Sequence, residues 1–501
     1  MKTKRAILNF ITDVVPLIII SILGIFKLKY FIMILGDETL GLYQLFTQIM
    51  IYVALVDGGL SSAVLFALYK PNTDNDTRTM NRILAGAKRT FSLIGIIVFA
   101  IAAIVACIIP FFIEDHSFSY MYIVFTFILF SLSNVISYFF VPYQCLIEVK
   151  EKKYIANLAL QIGQIIQNAL EIVFLLSGWS FISILFMHSI VKLLSNVAIY
   201  LICSRLYPDV NSKSKEKDFS FTKQVRHLVF HKINGLVGSN IDVLIISKIL
   251  GLASVAIYST YNYIVNMLMT IIGKIRGALL AIIGNYLNKE VKQQLVDLFL
   301  ELNSMMFYMA TVICVPLVFA LNKFIDIWYE GKIATNIFIS LAFTLYLLVF
   351  IIKQPVVTYI TAAGLFKETK KCALTDTIIN LILSLTLVWI IGIPGVLIAT
   401  AVAVFIAEYI MKGIILYKTV FKIDPKKYYI INIKFFVIML MDLLVAYVIL
   451  NSINIVTMGK WFAVYIIFTI INGLVMLLVY YILKEVKFLH RIKMIFGGGR
   501  Q

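Results

Sequence analysis

Residues 227–283 read HLVFHKINGLVGSNIDVLIISKILGLASVAIYSTYNYIVNMLMTIIGKIRGALLAII. Two long apolar segments flank a short break that contains Gly251, and Tyr258 follows this glycine by seven residues. The start of the chain has the same arrangement, because Gly36 interrupts an apolar run and Tyr43 follows seven residues later. The offset from one break to the other is about 215 in residue number, which indicates that a hydrophobic unit is repeated within the chain.

A second pair of similar segments supports the repeat. The basic cluster Lys150–Lys153 is matched by Lys367–Lys371 at nearly the same offset. Two unrelated similarities at nearly one offset predict that the first ~420 residues are two copies of one membrane unit. We expect the first copy at 1–206, a polar linker at 207–223 and the second copy at 224–420. Residues 421–501 then hold two additional helices and a tail.

The composition requires a lipid environment. Hydrophobic residues make up 61% of the 501 residues, only 14% are charged, and the mean hydropathy is +0.96. A water-soluble fold cannot bury so much apolar surface. The five cysteines are scattered and form no CxxC pair, so they indicate small apolar side chains rather than disulfides or metal ligands. The first apolar run, about 8–34, is too long for a cleavable signal sequence and is expected to remain as a span.

The apolar runs predict an all-α integral membrane protein. They are long and do not alternate with polar residues, which favours helices over a β-barrel. We count about fourteen transmembrane helices, arranged as two six-helix lobes related by a pseudo-twofold repeat plus two C-terminal helices. The spans are roughly 8–33, 39–69, 86–112, 119–142, 154–176, 180–204, 225–247, 255–281, 297–321, 335–360, 372–391, 395–417, 430–451 and 460–483.

Lysine and arginine predict the orientation. The loops on one side of the spans hold about 32 of the 44 basic residues, whereas the opposite loops hold about six. By the positive-inside rule, a multi-pass protein of the cell membrane with both termini in the cytoplasm is expected. The net charge of +18 resides in short loops between spans, so nucleic acid is not an expected partner.

Ionisable residues inside the spans are the candidate site, because a charge in hydrocarbon is costly unless it faces water or a partner. Lysine and arginine lining a wet cavity suit an anion, above all a phosphate or diphosphate. The expected substrate-binding cations are Lys27, Lys192, Lys274, Arg276 and Lys353, and the expected coupling or pairing acids are Asp57, Asp242 and Glu408. Pairing alone is the alternative: Glu408 and Lys412 are four residues apart and can neutralise each other.

The repeat also predicts that the site is asymmetric. At the offset between the two glycine breaks, Lys27 aligns with Asp242, so one copy offers a cation where the other offers an acid. His227 and His231 have a spacing that can hold a metal, but no third ligand is near them, and we expect no metal or other cofactor. The chain has no GxxxxGK[ST] loop or dinucleotide-binding fingerprint.

The segments LGDETLGLYQLFTQIMIYVALVDGGLSSAVLFALYK (Leu35–Lys70) and ILGLASVAIYSTYNYI (Ile249–Ile264) resemble the Wzx-type polysaccharide flippases of the multidrug/oligosaccharidyl-lipid/polysaccharide (MOP) superfamily. The resemblance implies a V-shaped bundle whose central cationic cavity opens alternately to each side. It implies transport of an undecaprenyl-diphosphate-linked oligosaccharide to the outer leaflet, without enzymatic activity. Membrane lipids, a polysaccharide polymerase and chain-length machinery are the partners it implies. Cavity-lining spans of that family correspond here to those carrying Lys27, Asp57, Asp242 and Lys274.

Three alternatives remain open at the level of sequence. A lipid II flippase of the same superfamily would carry a similar anionic head group, and the spans do not distinguish it. A MATE-like drug or cation antiporter would be expected to have about twelve spans and a lone buried acid, which the surplus of buried lysine disfavours. A membrane polysaccharide polymerase or ligase would need a larger outer loop than the one near 322–336.

Overall fold

A computed structural model of the protein describes residues 2–113, 117–210, 212, 214–222, 241–287 and 292–485. Every regular element in these ranges is a helix. Thirteen helices are long and apolar enough to cross a membrane, which confirms the predicted all-helical membrane fold. Most of the seventh predicted span, 225–247, lies outside the described residues.

The chain forms two compact units, Met1–Ala256 and Ile257–Gln501. The helices of the first unit are α1 (Lys2–Leu35), α2 (Asp37–Val53), α3 (Leu60–Thr73), α4 (Thr77–Ile108), α5 (Tyr120–Val135), α6 (Val141–Val149), α7 (Lys153–Leu176), α8 (Phe181–Leu206) and α9 (Asp242–Ile249). Helix α10 (Gly251–Leu287) begins in the first unit and continues into the second, which holds α11 (Lys292–Trp328), α12 (Ile337–Ile352), α13 (Gln354–Ala362), α14 (Lys370–Ile391), α15 (Ile393–Val404), α16 (Lys412–Leu416), α17 (Lys426–Asn451) and α18 (Met458–Ile482). The boundaries predicted at 207–223 and 421 remain predictions.

Left-handed backbone conformations recur at the spacing of the sequence repeat. Each one lies where a helix ends and the next begins, at positions that glycine occupies more easily than other residues. The pairs are Gly36 and Gly251 (φ +86° and +79°), Glu151 and Gly364 (+58° and +67°), and Gly178 and Gly392 (+74° and +66°). The offset is nearly the same in all three pairs. The repeat seen in the sequence therefore fixes where the helices of both copies turn.

Short irregular segments interrupt several spans and place polar side chains there. A 3-10 turn, Ala54–Asp57, follows α2 and ends at Gly58 and Gly59, both of which have positive φ. A second 3-10 turn, Ile136–Phe139, separates α5 from α6. In the second unit, π-helical segments at Phe405–Met411 and Tyr417–Phe421 flank α16. Such π segments are rare and often occur at functional sites.

The predicted polar linker packs closely on the first unit as far as it is described. Phe221 is fully buried and Val210 is largely buried in the core formed with α3, α4 and α6. The backbone N–H of Asp218 donates to the carbonyl of Arg82 at 3.0 Å. Close approach is possible because a Cβ at Gly86 would lie 2.0 Å from the Asp218 carbonyl oxygen. The end of this segment is thus anchored, although its composition indicates a solvated joint.

The two additional C-terminal helices pack on the second unit through hydrogen bonds as well as apolar contacts. Asn303 of α11 donates to Asn432 of α17 at 2.7 Å. Trp461 Nε1 of α18 donates to the carbonyl of Ala320 on α11 at 2.9 Å. Asn303 and Asn432 are buried, so water competes little for their hydrogen bond, and the two bonds help to hold α17 and α18 on α11.

Candidate functional site

The first unit contains an ion cluster that joins three helices. Glu171 of α7 is 0% exposed, and its Oε2 lies 3.4 Å from Lys27 Nζ of α1 and 2.8 Å from His188 Nε2 of α8. Lys27 is 14% exposed and His188 is 3% exposed. An unpaired carboxylate at this depth would be strongly unfavourable, so the two bases allow Glu171 to remain charged.

The packing of α7 on α8 explains how the cluster forms. A Cβ at Gly163 would lie 2.0 Å from Ser195 Oγ, so glycine allows the two helices to approach closely. The helices are joined through Gly178, and two turns from the close contact Glu171 of α7 faces His188 of α8. The cluster therefore depends on a helix contact that the sequence pattern alone does not show.

Aromatic rings enclose the same ions. Lys27 Nζ lies 5.4 Å from the ring centroid of Tyr43 on α2, at a distance typical of a cation–π contact. The Tyr43 ring also packs edge-on against His188 and against Phe181 at the start of α8, with centroid separations of 6.1 and 6.3 Å. Lys27 therefore has an acid and an aromatic partner, whereas the sequence suggested a cation facing the substrate.

Lys192 and Asp57 line one cavity of about 350 Å³ within the first unit. The polar groups of its wall are Thr47, Asp57, Asn134, Ser137, Tyr138 and Lys192. Asp57 Oδ1 accepts a hydrogen bond from the backbone N–H of Gly59 at 2.9 Å, which fixes the carboxylate at the interruption after α2. Among the residues that the structure describes, none forms an ion pair with Lys192. The cavity thus offers a half-buried ammonium group beside hydroxyl and amide groups.

The second unit contains a different charged cluster. Glu408, in the first π segment, binds Lys353 Nζ at 2.5 Å through Oε2 and Lys412 Nζ at 2.6 Å through Oε1. Lys353 caps the end of α12, and Lys412 begins α16. Asp376 of α14 is close enough to interact electrostatically with all three, and its buried Oδ1 has no hydrogen-bond partner within the described ranges. The predicted pairing of Glu408 with Lys412 is present, and Lys353 is a second partner.

The other predicted residues lie apart from these two clusters. Lys274 of α10 is exposed, and Arg276 is partly buried with its Nη2 donating to Thr361 Oγ1 at 3.4 Å. Asp242 is buried in the first turn of α9, which packs on α2 near Tyr52. Their predicted roles in binding and coupling remain predictions.

Sequence reasoning did not assign Glu171, His188 or Asp376 to the site. Glu171 and Asp376 are acids inside predicted spans, which was a usable signal, but their partners come from other helices. The described ranges contain no group of three potential metal ligands, and His227 and His231 lie outside those ranges. Both clusters contain lysine and glutamate inside predicted spans. One lysine pairs with Glu171 in the first unit, and two lysines pair with Glu408 in the second.

Comparison with solved structures identifies the fold. The chain is similar to the lipid II flippase MurJ in an inward closed conformation, with 19% identity, a TM-score of 0.70 and coverage of 96% of this chain and 99% of that chain. It is also similar to an inward-facing multidrug resistance MATE family transporter of the MOP superfamily, with 13% identity, a TM-score of 0.63 and coverage of 80% and 96%. An outward-facing MATE transporter gives 14% identity and a TM-score of 0.54, with coverage of 80% and 93%.

No protein-family model and no curated protein matches the sequence. At these identities the similarity establishes the fold, which the chain shares with the MurJ structure and with the MATE family transporter structures, and no more than the fold.

A double-mutant cycle tests the ion cluster of the first unit. Lys27→Met and Glu171→Gln each break the buried ion pair between these two residues, so each is expected to destabilise by about 3–5 kcal/mol. The double variant should lose clearly less than the sum, as measured by unfolding in detergent. Lys192→Met combined with Glu171→Gln is the control and should be additive. Full additivity of the Lys27 and Glu171 losses would contradict the pairing.

Proposed function

We propose that the protein is a flippase that moves an undecaprenyl-diphosphate-linked oligosaccharide from the cytoplasmic to the outer leaflet by alternating access. The observation that carries the proposal is the Lys192 cavity, in which a half-buried ammonium group has no acid as an ion partner among the described residues. An anionic cargo would supply this group with an ion partner during the working cycle. The fold of MOP-superfamily transporters supports the same proposal.

The charge of the cargo matches the basic side chains. A diphosphate diester carries about two negative charges, and lysine binds phosphate as a compact point charge. Several separate lysines, in place of one bidentate arginine site, would hold the head group without trapping it. Outward movement of two negative charges also gains about 4–5 kcal/mol per 100 mV of inside-negative potential. The proposed transport is therefore favoured by the membrane potential without an enzymatic step.

The remaining cavity wall suits a carbohydrate. Thr47, Asn134, Ser137 and Tyr138 present hydroxyl and amide groups beside Lys192. These groups both donate and accept hydrogen bonds, as sugar hydroxyls require. Asp57 adds an acceptor held by the backbone of Gly59. A phosphate on Lys192 and a sugar against the uncharged polar groups would satisfy the polar part of the wall, which also contains Met50, Ile51 and Phe130.

The proposed setting follows from the same assignments. Both termini would face the cytoplasm, in agreement with the distribution of basic residues between loops. The outer-leaflet product would be the substrate of a polysaccharide polymerase, whose chain-length machinery would act after transport. Lys27, Lys274, Arg276 and Lys353 remain proposed contributors to head-group binding, and Asp242 and Glu408 remain proposed coupling or pairing acids.

Transport of lipid II is the second candidate function. The MurJ structure covers 96% of this chain, so its similarity must include most of residues 421–501, whereas 80% coverage by the MATE transporter does not require this. Lipid II presents the same kind of anionic head group, so the lysine clusters fit both. The drug antiporter is less favoured, because buried lysine would repel a cationic drug.

Reconstituted transport tests the proposed function. Proteoliposomes are loaded with an undecaprenyl-diphosphate-linked oligosaccharide, with lipid II, or with a cationic dye, and outer-leaflet head groups are measured with time. We expect the lipid-linked oligosaccharide to move faster than in protein-free vesicles, and the dye not to move. Movement of lipid II alone would assign the second candidate, and movement of the dye alone would overturn both flippase assignments.

Lys192 provides a test at one residue. Lys192→Gln should lower the transport rate about tenfold while leaving thermal stability unchanged or higher, because it removes a half-buried charge that has no ion partner among the described residues. Lys192→Arg should retain more activity, since it keeps the charge. Lys460→Gln, at an exposed position at the start of α18, is the matched control and should transport normally. Wild-type transport by Lys192→Gln would remove Lys192 from the site.

A further inference from the structure

The cluster around Glu408 resembles an anion-binding site in which the Glu408 carboxylate takes the place of the anion. Two ammonium groups, from Lys353 and Lys412, approach the two oxygens of one carboxylate at 2.5 and 2.6 Å. A phosphate group would offer the same pair of lysines equivalent oxygens. In the described conformation the carboxylate of Glu408 stands where an external anion would bind.

We propose that Lys353 and Lys412 form a binding site for the phosphate groups of the cargo, and that Glu408 is an internal competitor that leaves when the cargo binds. This inference deepens the proposed function and rests on it for the identity of the cargo. Exchange of one anion for another keeps both lysines paired throughout, so neither binding nor release leaves a lysine without an anion. Binding at mid-membrane is then selective without being irreversible.

The cluster is accessible enough for such an exchange. The side chains of Lys353, Glu408 and Lys412 are 15%, 22% and 14% exposed, in contrast to the fully enclosed Glu171 of the first unit. Glu408 also lies in the π segment Phe405–Met411, in which each turn contains more residues than a turn of α-helix. Local conversion between π and α geometry shifts side chains around the helix axis. Such a change provides a path for Glu408 to move away from the lysines.

The repeat places this cluster at the counterpart of the Lys192 cavity. One offset relates Lys192 to Glu408 and also Ser137 to Lys353, and it agrees closely with the offsets of the paired helix breaks in the two copies. Ser137 and Lys192 both line the cavity of the first unit. At equivalent positions, the first copy therefore has a cavity lined by Lys192, whereas in the second copy Lys353 and Lys412 are paired with Glu408.

Asp376 is a further acid near Glu408, Lys353 and Lys412. It lies within electrostatic range of Glu408 and both lysines, while its buried Oδ1 has no hydrogen-bond partner in the part of the chain that the structure describes. An acceptor without a donor in the membrane interior is unfavourable in this conformation. When Glu408 leaves, a lysine that turns toward Asp376 would satisfy that oxygen. Asp376 is thus a positioning residue for the lysines in the exchanged state.

Binding of inorganic pyrophosphate to the purified protein in detergent tests the inference. Glu408→Gln removes the competing charge and should bind pyrophosphate about tenfold more tightly than wild type, at the lower end of couplings between close charge pairs. Glu368→Gln makes the same change of net charge at an exposed position of the second unit and should change affinity less than about twofold. Equal affinities of Glu408→Gln and Glu368→Gln would overturn the proposal.

A second set of variants identifies the binding groups. Adding Lys353→Gln or Lys412→Gln to Glu408→Gln should abolish the gain, and retention of the full gain would overturn the assignment. Glu408→Asp keeps the charge with a shorter reach and should show a smaller gain than Glu408→Gln. If Glu408→Gln does not fold, Lys353→Gln and Lys412→Gln alone should each weaken wild-type binding, and unchanged affinity in both would overturn the site.

The readout separates this inference from the proposed function. Pyrophosphate binding requires no transport, so a gain in Glu408→Gln supports the site even if wild type moves no lipid-linked oligosaccharide. Conversely, wild-type transport together with unchanged pyrophosphate affinity in Glu408→Gln would leave the function standing and overturn the internal competitor. In active vesicles, Glu408→Gln should also turn over more slowly than Glu368→Gln, because its cargo is released less readily.

Discussion

A charged side chain inside a membrane must have a partner, and this constraint organises the charged sites of the protein. Glu171 meets it with Lys27 and His188, and Glu408 meets it with two lysines. Lys192 differs, because no ion partner for it lies among the described residues and it lines a cavity with both polar and apolar side chains. The proposed function follows from this difference, since a lysine that lines such a cavity suits a phosphate-bearing cargo.

The fold could be predicted from the sequence because few kinds of backbone structure are stable across a lipid bilayer. Long apolar runs must be helices when backbone groups cannot bond to water, and a repeated Gly36/Gly251 break shows where they turn. Composition was less informative for the segment after α8. Its polar residues predicted a linker, whereas Phe221 is buried in the core of the first unit. The phenylalanines at 219 and 221, in an otherwise polar stretch, were the available signal.

The candidate site could be predicted only as a set of residue types. That Lys27 and Glu408 were unusual followed from their depth in predicted spans, and the contact of Glu408 with Lys412 followed from their spacing on one helix. The partners Glu171 and Lys353 come from other helices, so they depend on packing. Gly163 illustrates the difficulty, because the close contact of α7 with α8 is set by a missing side chain. Hydropathy analysis scores the side chains that are present, so it does not reveal a helix contact that depends on a glycine.

The sign of the charge that crosses the membrane tests the central claim most directly. Proteoliposomes adsorbed on a solid-supported membrane are supplied with undecaprenyl-diphosphate-linked oligosaccharide, and the transient current is recorded. We expect a current that corresponds to negative charge moving with the cargo. The transport rate should rise when the potential is negative on the side that the cargo leaves. A current of positive charge moving with the cargo, or a rate that falls under that potential, would contradict it.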